Sequence, residues 1–220
     1  PDDNSIVADS AAAGTALATG FKTNNQSISM SADGQTAYKT VLEKAQEKGK
    51  ATGLVSTTRI THATPAVFAS HIDHRDKEDE IATQVLAANV DVILGGGSSF
   101  FIPQTEKGSK RKDDRNLIQE FKDKGYRYAS DKAGLIAAEG ANKLLGLFGS
   151  SHVVWELDRN QEKVPSLVEM TNSALQVLSK DPDGFFLMVE GGRIDHASHA
   201  WDGSGVIAET IAFDKAVDAA

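Results

Sequence analysis

The sequence predicts an α/β protein with a mostly parallel central sheet flanked by helices. Short apolar runs alternate along the chain with amphipathic helical stretches, the pattern of strands joined by crossover helices. Hydrophobic residues make up 40% of the 220, enough for a sizeable core, and aromatics only 6%, so that core is built mainly from Ala, Val, Leu and Ile. No linker, repeat or low-complexity segment divides the chain, so residues 1–220 read as a single α/β domain.

Taken in order, Ser5 to Ala8 is the first candidate strand and leads into Asp9-Ser10-Ala11-Ala12. Thr23 to Gly34 is polar and rich in Ser and Asn, and reads as a solvated connection. Tyr38 to Lys48 carries Val41, Leu42 and Ala45 at helical spacing, and Gly53 to Ser56 reads as a strand. Asp79 to Ala88 repeats the helical pattern with Ile81, Val85 and Leu86, and Val90 to Leu94 is the next strand. Pro103 to Asp114, a mixed charge cluster, reads as a second solvated connection. Leu117 to Lys124 is helical, Leu145 to Phe148 a strand, and Pro165 to Lys180 a helix with Pro165 in its first turn. Phe185 to Glu190 is the last strand and Val206 to Ala219 the last helix. Both ends of the chain read as cut, since a chemically suggestive motif opens it and a helix without a C-cap closes it.

Composition excludes several classes. The net charge of −8 argues against a nucleic-acid binder, whose affinity rests on Lys and Arg neutralising phosphates. No cysteine is present, so any metal must be held by His, Asp, Glu or hydroxyl oxygen. No stretch reaches the roughly 18 apolar residues of a membrane span, and no basic-then-apolar leader opens the chain.

Three clusters carry candidate chemistry. If Ser10 begins a helix, its Oγ sits where unpaired backbone N–H groups stabilise an alkoxide or a phosphate; an ordinary N-cap is the other reading. Asp195 and His199, four apart, share one face of a helix and suit a single divalent ion, with Glu190 closing the preceding strand at the end where α/β proteins put ligand sites. His62 and Thr64, two apart, share one side of an extended segment towards which Pro65 biases Thr64, and Arg75 offers a planar fork suited to phosphate. His71, His74 and His152 have no partner pattern.

Together, Asp9-Ser10-Ala11-Ala12 through Thr15-Ala16, His62-Ala63-Thr64-Pro65-Ala66, Gly95-Gly96-Gly97 and Val189-Glu190-Gly191-Gly192-Arg193-Ile194-Asp195-His196 with His199 closely resemble the alkaline phosphatases. The resemblance implies a phosphomonoesterase dependent on Zn2+ and Mg2+, working through a phosphoseryl intermediate that a metal-activated water hydrolyses. By position it makes Ser10 the nucleophile and a zinc ligand, and Arg75 the holder of the non-bridging phosphate oxygens. Asp195 and His199 become ligands of the water-activating zinc, and Glu190 and Thr64 ligands of magnesium. His62 stands where some members have an Asp beside that ion, and His196 where some have a Lys near the phosphate.

Small phosphate monoesters as substrates, a homodimer and a periplasmic or secreted location are implied in the same way. The family's upstream bridging Asp, and its downstream Asp-His pair and further His, have no counterpart in this chain. The chain is therefore expected to be the central part of such an enzyme, binding zinc weakly and turning over slowly or not at all. Its sheet is expected to expose an unpaired edge. A non-catalytic phosphate- or metal-binding module is the alternative; the Ser10 context does not resemble a sulfatase maturation motif.

Overall fold

A computed structural model describes residues 6–220. The strands are β1 (Ala51–Arg59), β2 (Val92–Gly96), β3 (Arg127–Ala129), β4 (Leu144–Leu147) and β5 (Phe185–Glu190). They form one sheet in the order β3-β4-β2-β1-β5, and every pairing is parallel. The helices are α1 (Ser10–Thr19), α2 (Val41–Glu47), α3 (Ala63–Ala69), α4 (Glu78–Ala87), α5 (Leu117–Asp123), α6 (Lys132–Ala137), α7 (Leu167–Leu178), α8 (Arg193–His199) and α9 (Gly203–Ala219).

Side chains alternate across the sheet, and both faces are covered, as a parallel sheet requires. Leu54 and Ile93 face a core cluster with Leu42 of α2, Val67 of α3, Ile81 of α4 and Phe121 of α5. Their neighbours Val55, Val92 and Leu94 face the opposite cluster, with Leu135 of α6, Met170 and Leu178 of α7 and Ala216 of α9. Each fully buried Leu, Ile or Phe contributes about 1.5–3 kcal/mol relative to exposure.

Capping sets the ends of α2 and α7. Thr40 and Glu43, and Ser166 and Glu169, form reciprocal capping boxes. Pro165 therefore lies just before the N-cap and outside the first helical turn.

Several expectations are corrected. Ser5 lies outside the described residues, and Ile6 to Ala8 form no strand. Strand β3 and helix α6 follow from no apolar run: β3 has only three residues, and α6 buries only Leu135. The Thr23 to Gly34 segment is no solvated connection, because Ile28 and Ser29 are fully buried and Ile28 bridges Ile72. In the second loop Arg111 is buried, donating to Asp113 and to the carbonyls of Phe100 and Asp79, so this charge cluster fastens the loop to α4.

Topology positions the site. From β1 the chain passes through α3 and α4 to β2 on one side, whereas β5 lies on the other side of β1 and leads into α8. A crevice therefore opens beyond the carboxyl ends of β1 and β5, the usual ligand position in open α/β sheets. Strand β5 pairs only with β1 among the described residues, and its Phe185 is 40% exposed, the unpaired edge expected from the sequence.

Candidate active site

Asp9, not Ser10, caps α1: its carboxylate accepts from the Ala12 backbone N–H at 2.9 Å. The capping requirement is thus met one residue early, and the exposed Ser10 Oγ is left at the positive end of the helix. There it accepts a hydrogen bond from Arg75 Nη1 at 2.9 Å. Arg75 also pairs with Asp9 Oδ2 at 3.2 Å, and its backbone N–H donates to the Gln26 carbonyl at 2.8 Å. Gln26 in turn donates its backbone N–H to Asp9 Oδ2 at 3.1 Å. The Thr23 to Gly34 segment is therefore the scaffold that locks the fork of Arg75 against Ser10.

Across the crevice, β5 ends at Glu190, whose carboxylate accepts from Ser56 Oγ at 2.5 Å and Thr58 Oγ1 at 3.4 Å, with a further bond from Thr64. The turn over this carboxylate requires Gly192, because a Cβ there would lie 2.4 Å from Thr58 Cγ2 and 2.9 Å from Glu190 Cδ. The chain then enters α8, where Asp195 Oδ1 and His199 Nε2 stand 3.5 Å apart, both exposed.

His62 and Thr64 do not lie on an extended segment. His62 precedes α3, and Thr64 and Pro65 occupy its first turn, where the missing N–H of proline costs nothing. Ser10, His62, Thr64, Arg75, Glu190, Asp195, His196 and His199 all line one cleft of about 750 Å³, so every candidate site residue named from the sequence meets there.

His152 joins them from the loop after β4, although no sequence pattern pointed to it. Its ring lies edge-on to His196 with centroids 4.4 Å apart and to His62 at 5.5 Å. Its Nε2 is 2.6 Å from Arg59 Nη1, and Arg59 is itself held in a two-point pair by Glu78 at 2.8 Å. Asp9, Arg59 and Glu78 are further contributors that motif reading left without a role; the only signal for Asp9 was its place before Ser10.

Burial, and then the charges of Arg75 and Arg59, push the His62 imidazole down to about 3. Burial and Arg59 likewise push His152 down to about 2, and burial and Arg193 lower His196. All three rings are thus neutral at physiological pH. Burial raises Glu190, which among the described residues has hydroxyl partners and no ion-paired Lys, Arg or His.

A buried carboxylate neutralised by no side chain, beside a threonine hydroxyl, is a donor set suited to a hard divalent cation; a carboxylate and an imidazole one helical turn apart suit zinc. The donors come as pairs, since no three His, Asp or Glu converge as a metal-holding group among the described residues.

The fold and this cleft define a parallel α/β protein with an exposed, arginine-bonded serine at a helix N-terminus and with oxygen and imidazole donors lining the same cleft. The alkaline phosphatase family model matches residues 1–220, and the chain belongs to that family. It is 47% identical to alkaline phosphatase 3 of Bacillus subtilis, over 100% of this chain and 46% of that protein. The crystal structure of Thermus thermophilus alkaline phosphatase superposes with a TM-score of 0.88 at 41% identity, over 96% of this chain and 44% of that one. A variant of the alkaline phosphatase TAB5, solved with Mg bound, matches with a TM-score of 0.85 at 32% identity, covering 97% of this chain and 59% of that one. The chain thus spans about half the length of these relatives. No helix among the described residues is long and apolar enough to cross a membrane.

Proposed function

We propose that this chain is the central part of an alkaline phosphatase catalytic domain, which hydrolyses phosphate monoesters through a phosphoserine at Ser10. The carrying observation is Ser10 Oγ at the N-terminus of α1, 2.9 Å from the Arg75 guanidinium, in a cleft also lined by Thr64, Glu190, Asp195 and His199. A phosphate monoester dianion repels an alkoxide, so attacking, leaving and equatorial oxygens all need neutralisation. Arg75 supplies a planar two-point donor for the equatorial oxygens, and Asp9 keeps that fork turned towards Ser10. The α1 N-terminus favours the charge that develops on Oγ. As Ser10 Oγ bonds phosphorus the ester P–O bond breaks and the serine proton goes to the departing ester oxygen; a water then attacks phosphorus and breaks the Oγ–phosphorus bond, its hydroxyl staying on the phosphate and its proton passing to Ser10.

Asp195 and His199 would hold one zinc and Ser10 a second, and Glu190 with Thr64 magnesium, with His62 and His196 bordering them. Bound metal supplies charge neutralisation and lowers the pKa of the attacking oxygen. Because the donors form pairs only, this chain alone binds zinc weakly and turns over slowly or not at all. The same reading implies small phosphate monoesters as substrates, a homodimer and a periplasmic or secreted location.

The test is hydrolysis of a chromogenic phosphomonoester at alkaline pH with zinc and magnesium added. The expected result is slow turnover, lost in Ser10→Ala and reduced at least ~100-fold in Arg75→Ala. Turnover that survives Ser10→Ala overturns the reading.

A further inference from the structure

Two side chains that face the cleft only through a neighbour, Trp155 and Arg193, form a clamp on His196. The Arg193 guanidinium lies over the Trp155 ring, 3.3 Å from its centroid, a stacked cation–π arrangement. Trp155 is itself anchored, because the next residue, Glu156, donates its backbone N–H to the buried carboxylate of Glu209 on α9 at 2.8 Å. At the other end, the Arg193 backbone N–H donates to Thr57 Oγ1 of β1 at 3.2 Å. Among the described residues Arg193 has no carboxylate ion-pair partner, and its Nε is buried without any hydrogen-bond partner. The buried Glu209 carboxylate acts on Arg193 only at longer range, without a direct ion pair. Its directed contact is Nη1 to His196 Nδ1, at 3.2 Å.

A guanidinium only donates, so His196 Nδ1 accepts, and in a neutral ring the proton then sits on Nε2. The His152 and His62 rings pack edge-on against His196, with centroids 4.4 and 5.4 Å away. His196 lines the same cleft as Ser10 and Arg75. With Nδ1 occupied by Arg193, the nitrogen left to meet an anion in the cleft is the protonated Nε2.

We propose that Arg193, braced on Trp155, is a positioning residue that holds His196 Nδ1 as an acceptor and so presents Nε2–H as a donor to an oxyanion bound beside Ser10 and Arg75. The donor half of this statement rests on the function proposed above; the clamp does not.

Ring-nitrogen NMR of the histidine-labelled chain tests both halves. In the wild type His196 is expected as one tautomer, protonated at Nε2. Arg193→Met, which removes the donor but keeps an apolar stem against Trp155, is expected to lose that single pattern and give exchange-averaged ring nitrogens. Trp155→Leu, with Arg193 intact, should do the same, and Arg193→Lys should restore the pattern only in part, because an ammonium lacks the plane that stacks. A merely structural Arg193 would move the melting temperature and leave the tautomer unchanged, and that result overturns the clamp, as does a wild-type His196 protonated at Nδ1.

Inorganic phosphate titrated with zinc and magnesium present reads the donor role. It is expected to shift the His196 and Arg75 resonances, with half-saturation about tenfold higher in Arg193→Met. Phosphate that moves neither resonance in the wild type sinks the phosphate reading of the cleft while leaving the tautomer result standing. Phosphate that moves Arg75 but not His196 overturns the donor role alone.

Discussion

Replacing Asp9 by alanine removes three interactions at once. Its carboxylate caps α1 through the Ala12 N–H at 2.9 Å, accepts the Gln26 N–H at 3.1 Å and pairs with Arg75 at 3.2 Å. Loss of an N-cap costs about 1 kcal/mol. Hydrogen bonds to a charged group contribute about 1.5–3 kcal/mol each, at the low end here because Asp9 and Arg75 side chains are each 18% exposed. The three share one carboxylate and do not add fully, so the expected loss is about 3 kcal/mol. Asp9→Asn keeps the Oδ1 cap but puts an NH2 where Oδ2 accepts from Gln26 and Arg75, so it loses both of those bonds and should cost about 2 kcal/mol. Urea unfolding followed by circular dichroism reads both as shifts of the midpoint at constant slope. A loss below ~0.5 kcal/mol for Asp9→Ala, or equal losses for the two variants, refutes the view that one carboxylate organises α1, the Gln26 loop and Arg75 together.

Other predictions follow from the same geometry. His62 is held at about 3 in the folded chain against 6.5 unfolded, so between those values the unfolded state binds more protons, and stability present above pH 6.5 is lost as pH falls. From pH 6.5 to 5 the loss is about 2 kcal/mol for this one ring. It is read as the difference between wild type and His62→Asn, because burial of Glu190 and Glu209 works in the opposite direction; parallel pH profiles would contradict it. Glu190→Gln should stabilise the metal-free chain by about 1 kcal/mol by removing a buried charge and should abolish any rise in melting temperature on adding magnesium. A magnesium-dependent rise that persists in this variant removes Glu190 from the site. Gly192→Ala forces a methyl against Thr58 and the Glu190 carboxylate and should cost about 1–3 kcal/mol by calorimetry; a neutral effect counts against the tight turn.

How much of this was legible beforehand depended on periodicity and on local chemistry. Helices α2, α4, α5, α7 and α9 and strands β1, β2, β4 and β5 carry apolar patterns that show in the sequence, with ends off by a few residues where caps such as Thr40 and Ser166 decide. Strand β3 and helix α6 bury too little to leave a pattern. Pro65 misled because a proline biases its predecessor towards extended backbone, yet a first helical turn also accepts it, and packing of Ala66 and Val67 into the core selects the helix.

The polar Thr23 to Gly34 segment hid a role that composition cannot reveal, since its backbone rather than its side chains fixes Arg75. His152, Arg59 and Glu78 stayed invisible because their partners lie far away in sequence: Glu78 is 19 residues from Arg59, and His152 is 93. Ser10, His62, Thr64, Glu190, Asp195, His196 and His199, by contrast, line one cleft, because their segments follow the carboxyl end of β1 or β5 or open a helix beside it.

The central claim is that Ser10 takes the phosphoryl group. The most direct measurement is acid quenching of the chain with zinc, magnesium and an excess of phosphomonoester, followed by peptide mass analysis. The account predicts phosphate on the peptide carrying Ser10, at Ser10 itself, and none there in Ser10→Ala. Phosphate on a different residue, or turnover with Ser10 never labelled, would contradict it.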